Sequence, residues 1–357
     1  MILHFRGRLL PQDVEQDIFV RDGVFTFGPV EDAQTVFTGG VLIPGLVDVH
    51  VHLGMASPAG EDALPEEQIR ASAAAHLARG VLALREPGSI FRGAAAGFGP
   101  KEQLPRIYTA GQYLVAPGRF LPGFGREVSD DELADAAMEE FLAGGGSWVK
   151  VIGDWPGPDG RLVKSFTTEA LTRVAERVHK AGGRVAVHAL DEETITASID
   201  AGVDSIEHAT LLREEHIANI VAAGIAVVPT LSATREFPGV LPQDEADRHR
   251  LISGMDQQHA AVRLAAEADV VVLAGTDAGL VPHGLIHEEI MLLRDYGLEA
   301  EQALGAGSWE ARRFLGLPGI EEGAPADLVC YDHDPREDLS ILASPSVVVL
   351  DGQLIER

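Results

Sequence analysis

The feature that most limits the fold is a regular alternation of short apolar segments and longer helical ones through the middle of the chain. Most of the helical segments end at a glycine, the residue that favours the left-handed turn after a helix. The eight apolar runs begin near residues 46, 81, 106, 147, 184, 204, 226 and 270. Strands separated by helical crossovers pair in parallel, so eight such units predict an α/β fold, a (β/α)8 TIM-like barrel.

Both ends of the chain carry β-like segments instead of helices. Asp22 and Gly23 mark a hairpin turn between two of the early segments, and Asp351 and Gly352 mark another near the far end. Neither end is long enough to bury a core of its own. We therefore predict that residues 1–43 and 325–357 form one small composite β-sandwich domain beside a barrel domain of residues 44–324.

Composition and charge exclude several kinds of partner. The chain has 357 residues and a net charge of −27, which argues against nucleic acid and anionic membrane surfaces. Its single cysteine, Cys330, excludes an intrachain disulfide. No apolar run approaches the roughly 20 residues of a membrane span, and the first residues lack the apolar run of a signal peptide. We expect a cytoplasmic protein with a small-molecule substrate, and the sequence leaves its oligomeric state open, a homo-oligomer included.

Polar side chains stand at or just beyond the ends of five apolar runs. His50 and His52 close the first run, and because side chains two residues apart on a strand share a face, they point the same way. The C-terminal ends of barrel strands meet at one mouth, and histidine and carboxylate groups gathered there suit a divalent metal such as zinc. The alternative is a set of histidines satisfied within the core. The full set is His50, His52, Lys150, His188, His208 and Asp277.

These segments together resemble the amidohydrolase superfamily of metal-dependent hydrolases. The resemblance lies in residues 44–52, 149–151, 188–189, 202–209 and 275–279, and in tail segments 323–329 and 332–335 that are similar to the closing strands of that superfamily's composite β-sandwich. Residues 204–208, with His283 and Gly284, are most similar to the imidazolonepropionase and prolidase-like branch. The chain departs from prolidase-like relatives after the third strand, where Pro117, Gly118 and Arg119 replace a Gly-Gly-His pattern.

The resemblance implies a binuclear metal centre with zinc as the expected metal. In that pattern His50, His52 and Asp277 hold one ion, and His188 and His208 hold the other. Lys150, carboxylated by CO2, bridges them. A protonated lysine would be repelled by two cations, whereas the carbamate is an anion with two oxygens. The alternative for the lysine is an ion pair with Asp154 or Glu86.

The chemistry expected of such a centre is hydrolysis. A divalent metal lowers the pKa of bound water toward about 7, so hydroxide is available to attack the carbonyl of a small amide, dipeptide-like or cyclic amide substrate. Asp277 would take the water proton and pass it to the leaving group. Lactone or ester hydrolysis is the first alternative, and heterocycle deamination is the second. A non-enzymatic scaffold is disfavoured, because this chain keeps all six ligands.

Other residues are candidates for substrate contact. We count Asp277, His208, His283 and Tyr113 as catalytic candidates, with His283 able to meet substrate or oxyanion and Tyr113 able to polarise a carbonyl. Arg119 and Arg126 are candidates for binding a substrate carboxylate.

Three further predictions concern structure. Arg85 is expected to pair with the adjacent Glu86, and His287 to help orient His283. His76 falls on the apolar side of its helix and is expected to be a core histidine. Specificity is expected to reside in loops 53–65, 113–128, 231–243 and 278–287.

Overall fold

The computed structural model describes residues 2–236 and 242–356, apart from the side chains of residues 235 and 236. In chain order the strands are β1 (Leu3–Leu9), β2 (Val14–Arg21), β3 (Val24–Thr26), β4 (Gln34–Pro44), β5 (Leu46–Asp48), β6 (Val81–Glu86), β7 (Arg106–Thr109), β8 (Leu114–Val115), β9 (Arg126–Glu127), β10 (Trp148–Ile152), β11 (Asp154–Pro156), β12 (Leu162–Lys164), β13 (Arg184–Ala189), β14 (Ser205–His208), β15 (Ala226–Val228), β16 (Leu328–Tyr331), β17 (Val347–Leu350) and β18 (Gln353–Leu354).

Helices fill the intervals between the central strands. They are α1 (Pro65–Leu77), α2 (Leu133–Ala143), α3 (Thr168–Lys180), α4 (Glu192–Ala201), α5 (Glu214–Ala223), α6 (Leu231–Glu236), α7 (Glu245–Glu267), α8 (Ile286–Asp295), α9 (Ala300–Ala306) and α10 (Trp309–Leu315). Short 3-10 turns cover Ala94–Gly97, Pro100–Glu102 and Leu339–Ala343. Within residues 2–236 and 242–356, no helix combines the length and the apolar character needed to cross a bilayer.

The central strands form parallel sheets. One sheet has the order β5-β6-β7, and the other has the order β15-β14-β13-β10-β8-β9. The segment after α7 contacts both, because Val272 bridges to Val227 on one side and Ala278 bridges to Val51 on the other. Parallel strands alternating with helices confirm the α/β class.

The predicted eighth strand near residue 270 is not a regular strand. The described chain makes only isolated bridges there. Its backbone still contacts both neighbours, since Leu273 donates to the carbonyl oxygen of Val227 and Val49 donates to that of Ala274. At Thr276 the partner is a side chain, because the backbone N–H and the hydroxyl of Thr276 both donate to the carboxylate of Asp48.

Helix α3 shows how local sequence builds the layer outside the sheets. The hydroxyl of Thr167 accepts a hydrogen bond from the backbone N–H of Ala170 and caps the first turn. Leu171, Val174 and Val178 recur at helical spacing, and all three are buried in the main apolar cluster. The predicted helix from Thr168 is thus confirmed, and it packs one apolar face against the strands.

Strands from both chain ends form a separate seven-stranded sheet in the order β18-β17-β16-β4-β1-β2-β3. This sheet has its own apolar cluster, which includes Phe5, Ile18, Phe25, Leu328 and Val349. The two ends therefore meet in one sheet. The division into a sandwich domain and a barrel domain, with its boundaries, stays a prediction.

Candidate active site

The six predicted ligands meet at one cavity. Five lie in or shortly after a central strand, Asp277 follows the bridged segment after α7, and all six line a cavity of about 1060 Å³. The imidazole rings form a continuous group: the His50 centroid lies 5.1 Å from that of His52 and 5.2 Å from that of His208, and the His188 and His208 centroids are 4.6 Å apart. The structure therefore brings together the polar strand ends that the sequence pattern singled out.

His50, His52 and Asp277 form a compact group that could hold a metal ion. Asp277 Oδ1 lies 3.0 Å from His52 Nε2 and 3.4 Å from His50 Nε2, yet this buried oxygen makes no hydrogen bond. Burial raises the pKa of Asp277, but the attraction of His50, His52 and His208 outweighs it and holds the pKa far below its usual range. Asp277 is thus a carboxylate at neutral pH.

Partners on the far side of each imidazole show which nitrogen carries the proton. His50 Nδ1 donates to Glu207 Oε2 at 2.6 Å, and His52 Nδ1 donates to the carbonyl oxygen of Gly88 at 3.0 Å. Carboxylate and carbonyl oxygens only accept, so each Nε2 keeps the lone pair that a metal requires. His208 Nδ1 is likewise hydrogen-bonded to the Thr230 hydroxyl at 2.8 Å.

Lys150 is fully buried, and within the described part of the chain its Nζ has no hydrogen-bond partner. Burial lowers the pKa of Lys150 to about 8, so an appreciable fraction is the neutral amine that reacts with CO2. The expected alternative partners are engaged elsewhere. Asp154 accepts from the backbone N–H groups of Leu190 and Asp191, and Glu86 accepts from Thr109 and from the backbone of Leu53. The predicted alternative of an ion pair at Lys150 is therefore wrong.

Glu207 is the functional residue that the sequence reasoning missed. It accepts two hydrogen bonds from Arg85, at 2.8 and 2.9 Å, in addition to those from His50 and Ser205. The predicted pair of Arg85 with Glu86 is therefore wrong, since neighbours on a strand face opposite sides. Burial raises the pKa of Glu207, but Arg85 and Lys150 outweigh it and hold the pKa well below its usual range. The sequence did contain a signal for Glu207, namely a carboxylate directly before His208 within an apolar strand.

Backbone strain is concentrated at the cavity. Five residues other than glycine adopt positive φ in or next to its lining: Ala56 (42°), His208 (69°), Ala209 (48°), Thr230 (47°) and Asp277 (58°). Left-handed conformations cost these residue types free energy, and they persist where surrounding contacts hold them. Here those contacts include Asp48, which is fully buried and accepts from the backbone N–H groups of both His50 and Thr276.

Tyr113 and His283, the other catalytic candidates, differ in position. The Tyr113 hydroxyl lies 2.8 Å from His52 Nδ1 and lines the cavity. His283 is not among the cavity residues, because its Nδ1 is 3.2 Å from His76 Nε2 and its Nε2 donates to the carbonyl oxygen of Met55. With both ring nitrogens engaged, His283 has none free for substrate. Its described partner is the buried His76, and not the predicted His287.

The two arginines expected to bind a substrate carboxylate also lie outside the cavity lining. Arg126 pairs with Glu139 and Glu140 on α2. Arg119 donates to the backbone carbonyl of Lys164. Of the predicted specificity loop 231–243, the first part is helix α6, and residues 237–241 lie outside the described residues.

The amidohydrolase family matches residues 41–355, which is most of the chain. The chain belongs to the amidohydrolase family. This amidohydrolase is 38% identical over 358 residues to an uncharacterized protein from Mycobacterium tuberculosis, covering 98% of this chain and 95% of that protein. It is 25% identical over 411 residues to ochratoxinase from Aspergillus niger, covering 96% of this chain and 84% of the relative.

Solved structures agree with this assignment. The crystal structure of a Xaa-Pro dipeptidase with bound methionine in the active site is similar to this amidohydrolase, with a TM-score of 0.82 and 25% sequence identity, and the match covers 100% of both chains. Family and relatives together make this amidohydrolase an enzyme, a metal-dependent hydrolase that acts on carbon–nitrogen bonds.

Proposed function

We propose that this enzyme hydrolyses a small amide, dipeptide-like or cyclic amide substrate at a binuclear centre in the mouth of a (β/α)8 barrel. The barrel would consist of the two parallel sheets closed by the segment before Asp277. The observation that carries the proposal is the environment of Asp277 Oδ1. Two imidazole nitrogens, His52 Nε2 and His50 Nε2, lie 3.0 and 3.4 Å from this carboxylate oxygen, which has no hydrogen-bond partner among the described residues, an arrangement that a cation would stabilise.

Two groups of residues fit two ions. His50, His52 and Asp277 would hold the first, and His188 and His208 the second. A carboxylated Lys150 would bridge them, which supplies a role for its unpartnered Nζ. When bound, such ions lower the pKa of water toward about 7 and polarise a carbonyl group. Zinc is the expected metal, because imidazole and carboxylate ligands suit it.

The chain's own residues would handle protons and orientation. Asp277 is ionised at neutral pH, so it can accept a proton and return it to the leaving nitrogen, which departs only when protonated. Glu207 and Thr230 fix the rings of His50 and His208. His52 Nδ1 carries the proton in its contacts, so the Tyr113 oxygen can act as a second acceptor beside the carbonyl oxygen of Gly88. The hydroxyl proton of Tyr113 is then available to donate to a substrate carbonyl oxygen.

The test is metal content and turnover of protein purified without chelator. We expect about two metals per chain, amide hydrolysis that stops on chelation, and recovery with zinc. Lys150→Ala should lower the metal content sharply and abolish turnover. Lys164→Ala is the matched control, because Lys164 pairs with Glu193 away from the ligands. One metal per chain, unchanged in Lys150→Ala, would overturn the bridging role of Lys150.

A further inference from the structure

We propose that the cavity selects neutral aryl substrates and holds their aromatic ring against Phe120 and Trp155. This specificity rests on the proposed hydrolase function and narrows its substrate class. It is argued from the rings, the other apolar lining and the charges around the cavity.

A chain of aromatic contacts connects the two groups of metal ligands. Ring centroids are separated by 5.4 Å from His52 to Tyr113 and by 5.2 Å from Tyr113 to Phe120. The chain continues from Phe120 to Trp155 at 4.8 Å and from Trp155 to His188 at 5.8 Å. These are the distances of attractive ring pairs. Tyr113, Phe120 and Trp155 therefore form an aromatic wall between the two groups of proposed metal ligands. This wall lies beside the place where a carbonyl would react.

The wall offers open ring surface. Phe120 and Trp155 are only partly buried, and both line the cavity. Further apolar side chains also line the cavity, namely Ile90, Phe91, Leu121 and Phe124, and Ile90 packs in the same apolar cluster as Phe120 and Trp155. At about 1060 Å³ the cavity is slightly larger than the roughly 300–1,000 Å³ typical of ligand sites. A substrate of minimal size would leave this apolar surface in water, whereas an aryl group would cover it.

Charge around the cavity disfavours an anionic substrate. Among the described side chains, Lys150 is the only lysine or arginine in the lining, and Glu61 adds a negative charge. Several cations outside the lining are paired with carboxylates: Arg126 with Glu139 and Glu140, Arg250 with Asp191, and Lys164 with Glu193. Arg119, next to Phe120, donates to the backbone carbonyl of Lys164. Apart from the proposed metal centre, the described lining offers a substrate carboxylate no arginine and no lysine other than Lys150, so its desolvation is costly.

Matched substrates that share an N-acyl amide bond, whose cleavage is followed by release of the acyl acid, test both parts of the proposal. Acetyl-phenylalaninamide, acetyl-cyclohexylalaninamide and acetyl-phenylalanine differ only in aromaticity or in charge. A second set, phenylacetyl-glycinamide and cyclohexylacetyl-glycinamide, places the ring on the acyl side. For the zinc-loaded enzyme we expect the aryl compound of at least one set to exceed its cyclohexyl analogue by about 3- to 10-fold in kcat/KM. The neutral amide should exceed the carboxylate by more than about tenfold.

Variants locate the effect. Phe120→Leu and Trp155→Leu should each lower kcat/KM for the aryl compound more than for its cyclohexyl analogue, so that most of the aryl preference is lost. Phe27→Leu is the control, because Phe27 is also partly buried but packs at the edge of the seven-stranded sheet cluster. Equal rates for aryl and cyclohexyl compounds in both sets, or a preference for the carboxylate, would overturn the aryl proposal.

Binding of the same compounds, measured by calorimetry, separates this proposal from the function on which it depends. If no amide is hydrolysed, the hydrolase proposal fails. In that case the order of the binding affinities still tests whether the cavity prefers an aryl ring. Aryl binding that is tighter than cyclohexyl binding and weakened by Trp155→Leu supports it, and equal affinities overturn it.

Discussion

The hydrogen bonds of Glu207 lead to the strongest prediction. This carboxylate is fully buried, and it accepts hydrogen bonds from Arg85, from the Ser205 hydroxyl and from the Nδ1 of His50. Glu207→Gln keeps the shape but removes the charge and one acceptor oxygen. It should therefore weaken the proposed metal centre through His50 and destabilise the fold through Arg85.

The two effects have separate magnitudes. Removing one partner of a buried ion pair leaves an uncompensated charge, which costs about 3–5 kcal/mol. Arg85 would be left in this state, since it is fully buried and its Nη2 donates to both carboxylate oxygens of Glu207. Loss of a carboxylate behind a metal-binding histidine weakens metal affinity by about 10- to 100-fold, which corresponds to roughly 1.4–2.7 kcal/mol.

Urea unfolding of the metal-free protein measures the first effect, and zinc competition against a chelator measures the second. Glu140→Gln is the matched control, because Glu140 is also fully buried and accepts from Arg92 and Arg126 away from the ligands. The control should lose stability without losing zinc affinity. Zinc affinity in Glu207→Gln equal to that of the wild type would refute the assigned role.

Two further predictions concern buried His76 and the turn at Gly88. Burial lowers the pKa of His76 well below its usual value, so its contribution to stability is present above about pH 6.5 and is lost as the pH falls further. His76→Gln should make the loss of unfolding free energy between about pH 6 and about pH 5 shallower by up to about 1.4 kcal/mol per pH unit, whereas the exposed control His249→Gln should not. Gly88→Ala should reduce kcat, because Gly88 has φ of 103° and an added Cβ would lie 2.5 Å from the Tyr113 ring. Gly60→Ala, with φ of 88° and open space, is the control for backbone strain alone, and equal kcat in the two variants would contradict the steric argument.

Much of the site could be predicted because its signals are local. Apolar runs between helical segments indicated parallel strands, and polar residues at their ends indicated where those side chains would meet. His50, His52 and Asp277 were identified in this way, and the structure brings their ligand atoms together. His283 shows the limit of that reasoning. It follows the Asp277 segment closely, yet its ring is turned toward His76 on α1, and neither sequence position indicates the contact.

The sequence by itself determined the α/β class, the parallel strands and the residue types at the cavity, because hydrophobic periodicity and strand alternation depend on near neighbours. Tertiary structure alone decided which partner each buried charge takes. Arg85 contacts Glu207, distant along the chain, instead of Glu86 beside it, because adjacent strand residues face opposite sides of a sheet. Lys150 has no such partner among the described residues. The contacts around a buried charge depend on which strands become neighbours, and that is a property of the assembled fold.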